Sequence, residues 1–132
     1  MSAARLRGYI FSREIAGSLI PQRVQNLVIR DYCARQGAVF LLSNTEYYMP
    51  DCYMMLDATL RDLASIDGIV FYSLEMLPED PLRRRALFDA VLDAGREFRF
   101  ALEELAVRTS SDCDLVEEIL AVKKLAVTPH AI

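Results

Sequence analysis

The chain has 132 residues, 53% of them hydrophobic and 26% charged, with a formal net charge of −4. That size and composition describe one globular domain with a core of its own and exclude a disordered chain. The acidic balance argues against duplex DNA as a partner, because binding a phosphate backbone draws on a surplus of Lys and Arg.

Residues 8–12, with the apolar run Tyr9-Ile10-Phe11 before Ser12, read as a first strand. Residues 14–19 form a loop, and Ser18 and Pro21 suit the start of a helix over 21–36 with Val24, Leu27 and Val28 on its apolar face. Gly37 closes that helix, and 38–42 form a second strand. The polar and aromatic loop 43–50 leads into a helix through about residue 65, with Met55, Leu56, Thr59, Leu60 and Leu63 as its stripe. A third strand spans 69–73, and the break at 77–81 caps a helix over 81–94. The alternation Phe98-Arg99-Phe100 within 97–102 reads as a fourth strand at the sheet edge. Ser110, Ser111 and Asp112 cap a last helix reaching Leu125, and the tail 128–132, with His130, is expected to fray.

Strictly alternating strands and helices predict an α/β domain, a small and mostly parallel four-stranded sheet flanked by helices in three layers. A single domain is expected over 1–132, ordered from about residue 7 to 126. Arg, Asp or Glu interrupts every apolar run and residues 1–7 are too short for a secretory signal, so a cytoplasmic protein without membrane insertion is expected.

The three cysteines, Cys33, Cys52 and Cys113, are widely spaced and lack metal-site spacing, so free thiols and no metal are expected. No cofactor motif is present. In a parallel sheet the carboxyl ends of the strands share one rim, which gathers Ser12, Arg13, Ser43, Ser73, Glu75 and Glu103. Gln22, Gln25 and Asn26 open the first helix beside that rim, a place suited to a phosphate or carboxylate. The loop carrying Glu46, Tyr47 and Tyr53 adds aromatic walls and a carboxylate, for which an ion pair with Arg13 is the plainer alternative. Ser12, Glu46 and Glu75 are the candidate catalytic groups, although no histidine in the folded body stands ready as a base. The run Arg83-Arg84-Arg85 at a helix start invites a partner, with a solvated face as the plainer alternative.

Gly8-Tyr9-Ile10-Phe11-Ser12-Arg13, then Pro21-Gln22-Arg23, then Leu74-Glu75-Met76-Leu77-Pro78-Glu79 follow the layout of serine recombinase (resolvase) catalytic domains over roughly residues 8–107. Ser12 stands one place earlier than that family's nucleophile, and two phosphate-binding arginines of its last motif fall on Met76 and Glu79. A thioether and a carboxylate cannot replace a guanidinium fork, so the expectation is a recombinase-like fold that is not a DNA recombinase.

A second resemblance spans residues 8–125. It is carried by residues 8–13, by the run 20–33 beginning Ile20-Pro21-Gln22, by Glu46-Tyr47, by 49–54, by Asp67-Gly68-Ile69-Val70-Phe71-Tyr72-Ser73-Leu74 and by 100–104. In these the chain resembles the sporadic carbohydrate cluster proteins of bacterial surface-polysaccharide gene clusters. The resemblance implies a protein of surface-carbohydrate biosynthesis. It binds or acts on a sugar, sugar phosphate or nucleotide sugar at the rim, or it is a non-catalytic accessory subunit of a polysaccharide biosynthesis enzyme. Recombinase catalytic domains pair through helices, so the first resemblance also implies a homodimer, with Leu115, Ile119, Leu120 and Val122 free to serve it or the core.

Overall fold

Runs of apolar residues too short for helices become strands buried on both faces, and the order in which they pair decides which loops meet. The computed structural model describes residues 2–127; the expected fraying of 128–132 and the position of His130 lie outside the described residues. Strands β1 (Arg5–Phe11), β2 (Val39–Glu46), β3 (Gly68–Phe71) and β4 (Glu97–Phe100) alternate with helices α1 (Gln22–Arg35), α2 (Met54–Arg61) and α3 (Pro81–Asp93), and β5 (Leu105–Val107) follows β4 directly before α4 (Ser110–Val127). The sheet order is β2-β1-β3-β4-β5. The first four strands are parallel, and β5 returns antiparallel to β4. No helix among the described residues is long and apolar enough to cross a membrane.

The α/β class and the mostly parallel sheet agree with the sequence reading, but there are five strands rather than four. The chain reverses after β4 through Glu104, which takes a positive φ of 55°, and pairs Leu105 with Phe100. β4 is therefore internal, not an edge. Its alternation has another cause: Phe98 and Phe100 face α3, where Phe88 lies 6.0 Å from Phe98, while Arg99 faces α1 and donates to the Tyr32 hydroxyl at 3.1 Å.

The aromatic face is the centre of the core. The Phe71 ring lies 5.1 Å from Tyr9, 5.1 Å from Phe98 and 5.0 Å from Phe100, and all four residues are buried. Such side chains each remove a large apolar area from water, at roughly 25 cal/mol per Å². α1 packs against the other face with Gln25, Ile29, Tyr32 and Cys33, so Val24 and Leu27, expected inside, are exposed. No side chain caps its start, where Pro21 rather than Ser18 is the boundary residue. In α4, Cys113 and Val116 enter the core, while Leu115 and Val122 stay exposed. Thr109, just before the expected cap cluster, closes that helix: its hydroxyl accepts the Asp112 N–H at 3.2 Å, and the Asp112 carboxylate accepts the Thr109 N–H at 3.1 Å.

Candidate functional site

The helix after β1 and the helix after β3 cover opposite faces, so the loops at the carboxyl ends of these neighbouring strands part and leave a crevice. The rim residues singled out in the sequence fall into two clusters on either side of it.

The first cluster is built around Glu46, the last residue of β2. Its buried carboxylate accepts the Tyr9 hydroxyl at 2.7 Å and the backbone N–H groups of Tyr47 at 3.0 Å, Met55 at 3.0 Å and Leu56 at 3.1 Å. It thus satisfies the N–H groups at the start of α2 and does not pair with Arg13. Burial, and then the Glu46 hydrogen bond and charge, push the Tyr9 phenol far above its ordinary value. Ser12 Oγ donates to the Glu46 carbonyl oxygen at 2.8 Å. Gln25 is fully buried and clamps the end of β1: its Oε1 accepts from Phe11 N at 2.9 Å, and its Nε2 donates to the carbonyls of Phe11 at 2.8 Å and Ile20 at 2.9 Å. Asn26 accepts the Ser43 hydroxyl at 2.6 Å, and Gln22 is exposed at the first position of α1.

Arg13 spans the outer side of this cluster. One terminal nitrogen donates to the carbonyls of Tyr47 and Cys52, both at 2.9 Å, and the guanidinium lies 3.9 Å over the Phe11 ring and 5.0 Å from the Tyr53 ring centroid. Tyr53 is buried and donates its hydroxyl to the Met76 carbonyl at 2.8 Å; burial raises its phenol and the Arg13 charge opposes that rise. The sequence reading missed a second cation here. Arg83, from the first turn of α3, brings its guanidinium to 4.9 Å from the same Tyr53 ring and donates to the Asp51 carbonyl at 3.3 Å. Its only signal in the sequence was the arginine run, whose three members do different things. Arg84 is buried and bonds both oxygens of Glu117, at 2.8 and 2.6 Å, and Arg85 is exposed beside Asp89 at 3.9 Å.

The second cluster follows β3 and β4. Glu103 accepts the Ser73 hydroxyl at 2.7 Å and Leu74 N at 3.0 Å, and Ser73 Oγ in turn accepts Glu75 N at 3.1 Å. Lys123 of α4 reaches Glu75 at 3.5 Å and Glu103 at 3.8 Å. Beside them lies a cavity of about 700 Å³ with an apolar lining that includes Leu74, Leu77, Pro78, Leu120 and Ala121, and with the Arg84–Glu117 pair on its wall. Among the described residues no three His, Cys, Asp or Glu side chains gather as a metal-ligand group.

Bonding partners decide what the rim can offer. Glu46 is engaged by backbone N–H groups, Glu103 by Ser73 and Leu74, and Glu75 by Lys123. Among the described residues neither Arg13 nor Arg83 makes an ion pair with a carboxylate. The net offer around Tyr53 is therefore positive charge and N–H donors, with the Ser12 hydroxyl in the residue next to Arg13.

Comparison with protein-family models gives no match, and comparison with curated proteins gives none. Solved structures do match. The N-terminal catalytic domain of TP901-1 integrase superposes with a TM-score of 0.61 at 14% identity, over 91% of this chain and 95% of that one. A resolvase family site-specific recombinase from Streptococcus pneumoniae superposes with a TM-score of 0.63 at 7% identity, over 92% of this chain and 90% of that one. The fold is resolvase-like.

These structures correct the functional expectations drawn from the sequence. The solved neighbours are an integrase domain and a site-specific recombinase, which overturns the exclusion of a recombinase and of DNA as a partner. They give no support to surface-carbohydrate biosynthesis, to a sugar or nucleotide-sugar ligand, or to a polysaccharide biosynthesis enzyme as partner. The physical error lay in two steps. Net charge was taken for local charge, and the two motif positions held by Met76 and Glu79 were taken to decide phosphate binding for the whole rim, although Arg13 stood on it. Met76 is fully buried and Glu79 is exposed, while guanidinium groups arrive at the rim from Arg13 and from α3.

Proposed function

We propose that this chain engages the phosphodiester backbone of a nucleic acid at the rim formed by Ser12, Arg13 and Arg83. The observation that carries the reading is the convergence of two guanidinium groups, neither paired with a carboxylate among the described residues, on the Tyr53 ring. Guanidinium groups match phosphate oxygens in both geometry and charge. The reading gains support from the printed names of the fold neighbours, an integrase catalytic domain and a site-specific recombinase. Ser12 brings a hydroxyl to the same rim, and its bond to the Glu46 carbonyl fixes its position without supplying a group that accepts its proton. Kinship with the sporadic carbohydrate cluster proteins rests on the motif residues alone and brings no activity to this proposal.

The test is fluorescence anisotropy with labelled DNA at low salt, comparing the wild type with Arg83→Glu. Charge reversal at Arg83 is expected to weaken binding by about tenfold or more, since each phosphate contact carries a sequence-independent share of the affinity. Circular dichroism separates that loss from unfolding. A folded wild type with no affinity at low salt, or a folded Arg83→Glu with unchanged affinity, contradicts the proposal.

A further inference from the structure

We infer that the nucleic acid taken by this rim is single-stranded, with its unpaired bases stacking on the tyrosines of the loop between β2 and α2. This rests on the phosphodiester reading above and narrows it. Tyr47 and Tyr48 are 48% and 73% exposed, and Met49 and Met54 beside them are also exposed. Three large side chains left in water on one short loop, with a fourth at the first residue of α2, are unusual for a segment whose backbone is so firmly held.

Fixed bonds hold that backbone at both ends and in the middle. The Glu46 carboxylate accepts Tyr47 N, and Arg13 donates to the carbonyls of Tyr47 and Cys52. Cys52 N closes a turn on the Met49 carbonyl at 3.2 Å, and Arg83 donates to the Asp51 carbonyl. The two cations of the rim are thus the same groups that carry the loop with the exposed rings. Stacking on a backbone already in place loses little conformational entropy when a ligand arrives.

A cationic track beside exposed aromatic rings is the arrangement that suits single strands. Every base has a π face and stacks without regard to sequence, while the backbone phosphates follow the charge. Duplex DNA keeps its bases stacked on each other and offers a side chain only groove edges and phosphates. Arg13 and Arg83 alone serve either form, but Tyr47 and Tyr48 gain a contact only with the single strand.

The experiment measures anisotropy for a labelled thymidine oligonucleotide of about 20 nucleotides and for a duplex of equal length, using the wild type, Tyr48→Ala, Tyr48→Phe and the double variant Tyr47→Ala/Tyr48→Ala. The single strand is expected to bind about tenfold more tightly than the duplex. Tyr48→Ala should lose about five- to tenfold on the single strand alone, with Tyr48→Phe within about twofold of wild type because its ring still stacks. Both tyrosines are exposed, so folding is expected to survive, and circular dichroism checks it. Equal or tighter duplex binding, or an unchanged double variant, overturns the single-strand inference while leaving the phosphodiester reading in place. Loss of neither form on Arg83→Glu, or no binding of either, overturns the reading beneath it.

Discussion

Glu46 Oε1 accepts the Tyr9 hydroxyl at 2.7 Å, joining the middle of β1 to the last residue of β2 directly under the start of α2. The carboxylate is a structural acceptor, with backbone N–H groups on its other sides. Glu46→Ala would leave those donors and the phenol unsatisfied in a dry site, at a cost of about 3 kcal/mol, whereas Tyr9→Phe would cost about 1 kcal/mol. In thermal unfolding this corresponds to a midpoint drop of roughly 10 °C for the first variant and roughly 4 °C for the second. Equal small shifts for both would remove Glu46 from this role.

The same pair contributes to the loss of stability in alkali. Tyr9 keeps its proton far above the ordinary value of 10.0, and Tyr53 shifts in the same direction, while the unfolded chain releases both protons near that value. Above pH 10 the unfolded state therefore binds fewer protons than the folded state, and stability falls as pH rises. Below that pH these groups leave stability unchanged. Denaturant midpoints taken across the alkaline range should show the decline, and Tyr9→Phe should make it shallower. A wild-type profile that stays flat until gross unfolding would contradict the assignment.

Gln25 holds both backbone groups of Phe11 and the carbonyl of Ile20 with one buried amide. Gln25→Ala leaves these groups without partners and should destabilise the protein by about 2–3 kcal/mol. Gln25→Glu keeps an acceptor for Phe11 N but turns the donating nitrogen into an oxygen facing two carbonyls, and should be at least as damaging. Hydrogen exchange at Phe11 N should accelerate in both variants; retained protection would show that the clamp is dispensable.

Two glycines of the sheet differ in what they tolerate. A Cβ at Gly68 would sit 2.6 Å from the Glu97 carbonyl oxygen, which is backbone of the neighbouring strand, whereas at Gly8 it would meet the Ser43 hydroxyl at 2.1 Å. The sheet cannot yield at Gly68 without breaking β3–β4 pairing, but a serine can rotate. Gly68→Ala is expected to cost about 3 kcal/mol or more, and Gly8→Ala less. Adding Ser43→Ala to Gly8→Ala should recover part of its loss. Reversal of that order in urea unfolding would show that the β1–β2 contact is the stiffer one.

Much of the fold was legible because parallel strands and helices leave different apolar periods. It was misread where a polar residue is buried or a charged one lies in a strand. Arg5 and Arg7 hid the start of β1, since their side chains turn to the carbonyls of Ser65 and Leu42. Gln25 hid the packed face of α1, because an amide that clamps a strand is as buried as an isoleucine but does not count as apolar. β5 is three residues long and follows a tight reversal, too brief to register as a period. At the rim, chain order and strand polarity were enough to group Ser12, Arg13 and Glu46. They could not show that Glu46 turns to backbone N–H groups instead of Arg13, nor that Arg83, far along the chain, joins Arg13 at Tyr53.

The most direct test of the central claim is the salt dependence of nucleic-acid affinity, measured side by side for the wild type, Arg83→Ala and Arg13→Lys. Each phosphate neutralised contributes a slope of about 0.7 to 0.9 in log affinity against log salt. The expected result is a steep wild-type slope, a slope lower by about one phosphate for Arg83→Ala, and a weaker affinity at nearly unchanged slope for Arg13→Lys, which keeps its charge but loses the fork. Binding that is flat with salt, or identical slopes and affinities in all three folded proteins, would contradict it.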